Sequence, residues 1–180
     1  MEFQKVIDSR QSVRNFNGKQ VSEDQLREMV VAAQAAPSWK NTQTSRYYLI
    51  SSPEAVASFR DKVLPEFNQN STSGATAYVV TTYKKNIAGF NKATGEADNE
   101  VGNGWGAYDL GLHDMLLCAK ATDLGLDTLI MGLRDSSVVA DICGIPEDEQ
   151  VMSIIGVGYR AENVTAKPPR KDIDAIAKFL

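Results

Sequence analysis

The stretch "GAYDLGLHDMLLCAKATDLG", residues 106–125, constrains the fold more than any other part of the chain. Its apolar positions, from Leu110, Leu112 and Met115 through Leu117 and Ala121, fall on nearly every side of a helix. A helix with so wide an apolar surface belongs in a core or at an interface. Other elements must therefore cover it, and the flanking sequence supplies them. "SEDQLREMVVAAQAA" predicts a helix in which Ser22 and Gln25 have capping-box spacing. Leu26, Met29, Val30 and Ala33 put one stripe of it toward a core, and Pro37 ends it. "SPEAVASFRDKV" predicts a second helix, capped by Ser52 with Pro53 in its first turn, and "SSVVADICG" a third, stopped by Gly144. Short apolar runs at 46–50, 77–83, 127–132 and 150–159 predict strands. This order predicts one α+β domain over residues 1–180, with helices layered against a sheet. Residues 84–105 lack apolar periodicity and predict a loop that is functional or mobile.

Composition removes several classes of function. A net charge of −4 argues against nucleic acid as a partner, so any anion site must be a local positive pocket. No run approaches the roughly 18 apolar residues of a membrane span, and the charged N-terminus lacks a signal-type apolar segment. Cys118 and Cys143 lie in apolar contexts and read as free thiols of a reducing cytoplasm, with a disulfide as the alternative.

Familiar active sites are scarce. His113 is the only histidine and sits in the most apolar helix, so neither a zinc cluster nor a Ser-His-Asp triad has its parts. Asp109 lies one turn before it, which suits a hydrogen-bonded core or interface histidine. "GNGWG" at 102–106 follows no strand and does not qualify as a dinucleotide loop.

Three polar features remain. Arg10, Ser12 and Arg14 alternate in "SRQSVRNF", which in an extended segment points all three the same way, as a phosphate or carboxylate site requires. "APSWKNTQTS" offers Ser38, Asn41 and Gln43 beside Trp39, and "KPPRKD" offers Lys167, Arg170 and Lys171. Each also has a plain reading, as edge charges, a helix-ending loop and a solvated basic tail.

Taken together and in order, these segments resemble the nitroreductase family of FMN-dependent oxidoreductases. The resemblance rests on R-x-S-x-R-x-F, a helix, A-P-S-x-x-N-x-Q before a strand, "FNQN", the long apolar helix, "LIMGL" and K-P-x-R, and so spans nearly the whole chain. It implies a three-layer sandwich with a mostly antiparallel sheet, built as an intertwined homodimer with two FMN sites at the interface. Arg10, Ser12 and Arg14 would then hold the phosphate and ribityl end, with Arg170 and either Lys167 or Lys171 closing from the tail. Pro37 and Ser38 would approach the ring from the second subunit, near Asn41 and Gln43. Asn68 would bond the ring's polar edge, and a backbone N–H near Met131 and Gly132 would point to the hydride-carrying atom. No side-chain catalyst is implied. Met131 stands where the family commonly has an acidic residue or glycine, and "QTS" replaces its Q-P-W. The implied reaction takes hydride from NADH or NADPH and reduces a nitroaromatic, quinone or similar small molecule by a ping-pong mechanism. Residues 84–105 would shape the pocket mouth, and 165–180 would contact the partner. Dehalogenation, dehydrogenation and flavin binding without turnover are the rival readings.

Overall fold

The computed structural model describes residues 1–162 and 166–180. Four strands, β1 (Ser45–Ile50), β2 (Ala77–Lys84), β3 (Asp127–Met131) and β4 (Glu149–Gly158), form a sheet in the order β1-β2-β4-β3, antiparallel throughout. β2 is buried along its length except at its last residue, because both faces of the sheet are covered. Tyr78 and Val80 point into a core shared with α3 (Pro53–Val63) and α6 (Ser136–Cys143). Ala77 and Val79 point oppositely, into a core shared with α2 (Glu23–Gln34) and α5 (Gly104–Asp123). This is the three-layer sandwich that the sequence predicts.

Local chemistry sets the helix ends. The Gln25 N–H donates to Ser22 Oγ at 3.2 Å and the Ser22 N–H donates to Gln25 Oε1 at 3.1 Å, completing the capping box of α2. The Ala55 N–H donates to Ser52 Oγ at 3.2 Å to start α3. α5 buries Leu117, Cys118 and Ala121 against the sheet and α2, and buries Leu110 as well, but leaves Tyr108, Gly111, Met115 and Leu116 exposed on its other side. Cys118 and Cys143 are free and lie in the two cores on opposite faces of the sheet, so the alternative of a disulfide between them is blocked by the sheet itself.

One helix went unforeseen in sequence: α1 (Phe3–Ser9) buries only Val6 and has no side-chain cap, so it carries neither a periodic stripe nor a stop signal. α4 (Glu66–Ser71) carries Asn68 as the resemblance implies. Residues 85–103 contain turns and one isolated bridge, Phe90 to Ala97.

Candidate active site

The Arg10, Ser12, Arg14 comb is extended as predicted. Val13 and Phe16 go into the core, while Ser12 and Arg14 are exposed and Arg10 half-buried. Its place is fixed by β3: Ser12 forms a parallel bridge with Thr128, and the Val13 N–H donates to the Thr128 carbonyl at 3.0 Å. Beneath it, burial pushes the Cys118 thiol up to about 11, against the opposing effects of the Thr128 hydrogen bond and the Arg10 guanidinium. Arg10 and Arg14 have no carboxylate partner among the described residues. Arg160, close by, is by contrast committed to buried Asp127 through two nitrogens, Nε at 2.7 Å. Two free guanidiniums beside a hydroxyl on an acidic protein fit a dianionic phosphate.

At the other end of β3 the chain turns through Gly132 and Leu133. From Thr128 to Met131 is three residues, about 10 Å of strand. The Gly132 carbonyl accepts from Arg134 Nη1 at 2.5 Å and the Leu133 carbonyl accepts from Asn68 Nδ2 at 2.9 Å. Both carbonyls are therefore occupied by side chains of the protein itself. The Gly132 N–H has no acceptor among the described residues, and a Cβ at Gly132 would meet nothing within 4 Å. An open, unpaired backbone donor beside a free surface suits a planar acceptor of hydrogen bonds. Buried Asn68 thus acts here on the turn, an arrangement the sequence did not reveal.

The Pro37–Gln43 loop lies elsewhere. The Trp39 N–H donates to Asp109 Oδ2 at 2.8 Å, and the Trp39 ring packs on Trp105 at 4.7 Å between centroids. The Gln43 N–H donates to Ser38 Oγ at 3.0 Å, and Lys40, Asn41 and Gln43 all take left-handed backbone conformations. Asn41 and Gln43 are exposed, and their amides are unpaired among the described residues. This loop is anchored at Asp109 and the comb near Cys118. Those positions are nine residues apart on α5, about 14 Å along its axis. One chain therefore does not bring the two halves of the predicted site together.

The tail reaches the first half. Lys167 Nζ donates to the carbonyls of Ile7 and Asp8 at 2.9 and 2.8 Å, capping the end of α1 beside Arg10. Arg170 Nη1 donates to the Pro168 carbonyl at 3.3 Å, and Lys171 is exposed. Of the predicted C-terminal segment 165–180, residue 165 lies outside the described residues.

Two buried carboxyl groups line the inner face of α5. Asp109, besides holding Trp39, leaves its own carbonyl to His113 Nδ1 at 2.7 Å, so the histidine is satisfied by backbone rather than by the Asp109 carboxylate. Asp114 Oδ2 accepts from Thr81 Oγ1 at 3.2 Å, while its Oδ1 has no partner among the described residues. Burial drives the Asp114 carboxyl up to about 7, the Thr81 hydrogen bond opposing it. No motif announces this buried acid.

Residues 7–159 match the sequence model of the Nitroreductase family. The chain belongs to the nitroreductase family. It is 25% identical over 212 residues to YdgI of Bacillus subtilis, a protein named provisionally as an NAD(P)H nitroreductase, covering 99% of this chain and 97% of that protein. A nitroreductase-type structure from Exiguobacterium sibiricum, solved in complex with FMN, superimposes with a TM-score of 0.84 at 21% identity, covering 100% of this chain and 98% of that one. The structure of CLA-ER, an enone reductase of gut-bacterial fatty-acid saturation, also gives 0.84 at 21% identity, covering 99% and 98%. These likenesses establish the nitroreductase fold for a member of an oxidoreductase family. Among the described residues no helix is long and apolar enough to cross a membrane.

Proposed function

We propose that the chain is a homodimeric, cytoplasmic FMN oxidoreductase in which NADH or NADPH gives up a hydride and a nitroaromatic, quinone or similar conjugated electrophile receives the electrons. One observation carries the reading: the unpaired Arg10, Ser12, Arg14 comb is fixed to one end of β3, about 10 Å of strand from the unpaired Gly132 N–H. In this reading Arg10, Ser12 and Arg14 hold the phosphate and ribityl end. Arg170 swings onto the phosphate from the tail, and Lys167 fixes that tail on α1. The turn at Met131 and Gly132 presents its N–H to the ring, with Asn68 holding the turn. FMN, when bound, supplies the two-electron carrier between donor and acceptor. The chain orients it, binds its charge and keeps the reacting face from water.

The separated halves of the site argue for a second copy. Tyr108, Gly111, Met115 and Leu116 form an exposed strip on α5, with Leu112 and Ala119 half-buried beside them. Two such helices packed antiparallel would set the start of one beside the end of the other. Each Pro37–Gln43 loop would then face the partner's comb, adding Pro37, Ser38, Asn41 and Gln43 to the ring site. Ile173, Ile176 and Phe179, exposed on the tail, would cover partner surface. The FMN complex of the Exiguobacterium protein and the nicotinamide in the name of YdgI support the cofactors.

The test joins binding to kinetics. Titration of the stripped protein with FMN should saturate at one FMN per chain. Initial rates with varied nicotinamide and quinone should give parallel double-reciprocal lines, as ping-pong turnover requires. A protein that takes up no FMN ends the proposal; intersecting lines would remove its kinetic part.

A further inference from the structure

A cavity of about 590 Å³ lies between the Pro37–Gln43 loop and the 85–103 turns, and its lining includes Trp39, Asn41, Ile87 and Phe90. Its lining mixes the aromatic rings of Trp39 and Phe90 with Ile87, uncharged polar residues and two lysines. Among the described residues, the only ionisable ones along it are Lys40 and Lys92, both positive. Lys40 is partly neutralised by Asp98, whose Oδ2 lies 3.0 Å away, and sits over the Trp39 ring. Lys92 is exposed and has no carboxylate partner among the described residues. Two lining residues also carry buried polar atoms with no hydrogen-bond partner among the described residues, Trp39 Nε1 and Thr42 Oγ1.

The walls are held in place rather than left loose. The Asn86 N–H donates to Asn103 Oδ1 at 2.7 Å and Asn103 Nδ2 donates to Asn86 Oδ1 at 2.8 Å. Trp105 Nε1 donates to Asn99 Oδ1 at 2.9 Å, tying the far side of the segment to the aromatic cluster that carries Trp39. A slot with flat aromatic walls and a free ammonium at its edge discriminates by charge as well as by shape.

We propose that this cavity receives the electron acceptor and selects a flat conjugated molecule bearing a carboxylate, whose charge pairs with Lys92 while its ring lies against Trp39 and Phe90. The inference rests on the proposed flavin site, because Asn41 belongs both to this cavity and to the ring-facing loop. With 4-nitrobenzoate as the probe, the first two-electron reduction balances as nitro compound, NAD(P)H and one proton giving the nitroso compound, NAD(P)⁺ and water. The carboxylate takes no part in that chemistry and serves binding alone.

The experiment compares 4-nitrobenzoate with 4-nitrobenzamide, which has the same electrophile and nearly the same shape but no charge. Binding is read without nicotinamide, from quenching of the tryptophan fluorescence of the flavin-loaded protein, since Trp39 lines this cavity and Trp105 packs on Trp39. The carboxylate should bind about fivefold tighter than the amide, and the preference should shrink as salt is raised. In Lys92→Glu the ratio should fall to one or below; Lys92→Ala should lie between. Equal affinities in the unaltered protein, no binding of either compound, or a Lys92→Glu ratio like that of the parent would each overturn the proposal. Reduction of the bound flavin by nicotinamide is measured alongside. Normal reduction without carboxylate preference defeats this inference alone. Carboxylate preference without reduction defeats the reductase reading and leaves an anion-selective cavity.

Discussion

Replacing Asp114 by Asn should change how stability depends on pH, and the structure gives the size and sign. Asp114 lies buried between α5 and the sheet, with one oxygen bonded to Thr81 Oγ1 at 3.2 Å and the other without a partner among the described residues. Burial raises its pKa from 3.8 to about 7. At about 1.4 kcal/mol per pH unit, the ionised carboxylate costs the fold on the order of 4 kcal/mol at most. The folded state keeps this proton through a range in which the unfolded chain has released it. Stability from this group is therefore complete below about pH 4, falls as pH rises, and is exhausted above about pH 7. The amide carries no such proton. Urea unfolding of both proteins at several pH values, at one protein concentration and one FMN concentration, isolates the difference. Asp109, whose burial also raises its pKa, is present in both proteins and largely cancels. The parent's stability relative to Asp114→Asn should drop by roughly 2–4 kcal/mol between about pH 4 and pH 8. A difference that stays flat, or that rises with pH, would refute the reasoning.

The phosphate half of the site yields a second prediction: Arg10→Ala combined with Arg14→Ala should weaken FMN binding at least about tenfold, while riboflavin, which lacks the phosphate, should lose far less in the same fluorescence titration. At the start of α5, a Cβ on Gly106 would crowd the buried Tyr83 ring, 2.7 Å from its Cε2. Gly106→Val should consequently destabilise the protein by roughly 1–3 kcal/mol in thermal unfolding, by forcing the ring aside.

Much of the scaffold was legible because its signals are local. Ser22, Gln25 and Pro37 mark the ends of α2, and the apolar sides of α5 announce a helix that needs covering on more than one face. The comb was legible as a comb, since alternation alone sends Val13 inward and Ser12 and Arg14 outward. α1 was not, because a short helix burying a single residue leaves almost no periodic trace. What no local pattern carries is pairing across the chain. Thr128 meets Ser12, Arg134 and Asn68 clamp the turn after β3, and Lys167 reaches the carbonyls of Ile7 and Asp8. Asp114 illustrates the same limit: an acid inside an apolar helix reads as a solvated position until the sheet closes over it. The 37–43 loop was legible as a group of polar residues, but its distance from Arg10 within one chain is a property of α5's length.

The central claim is that these residues hold a flavin able to take hydride from a nicotinamide. Anaerobic mixing of the FMN-loaded protein with NADH and, separately, NADPH tests it most directly, with the flavin's visible absorbance as the readout. The account predicts stoichiometric bleaching by at least one nicotinamide and recovery of the yellow colour when a quinone is added. A yellow protein that neither nicotinamide bleaches would contradict it.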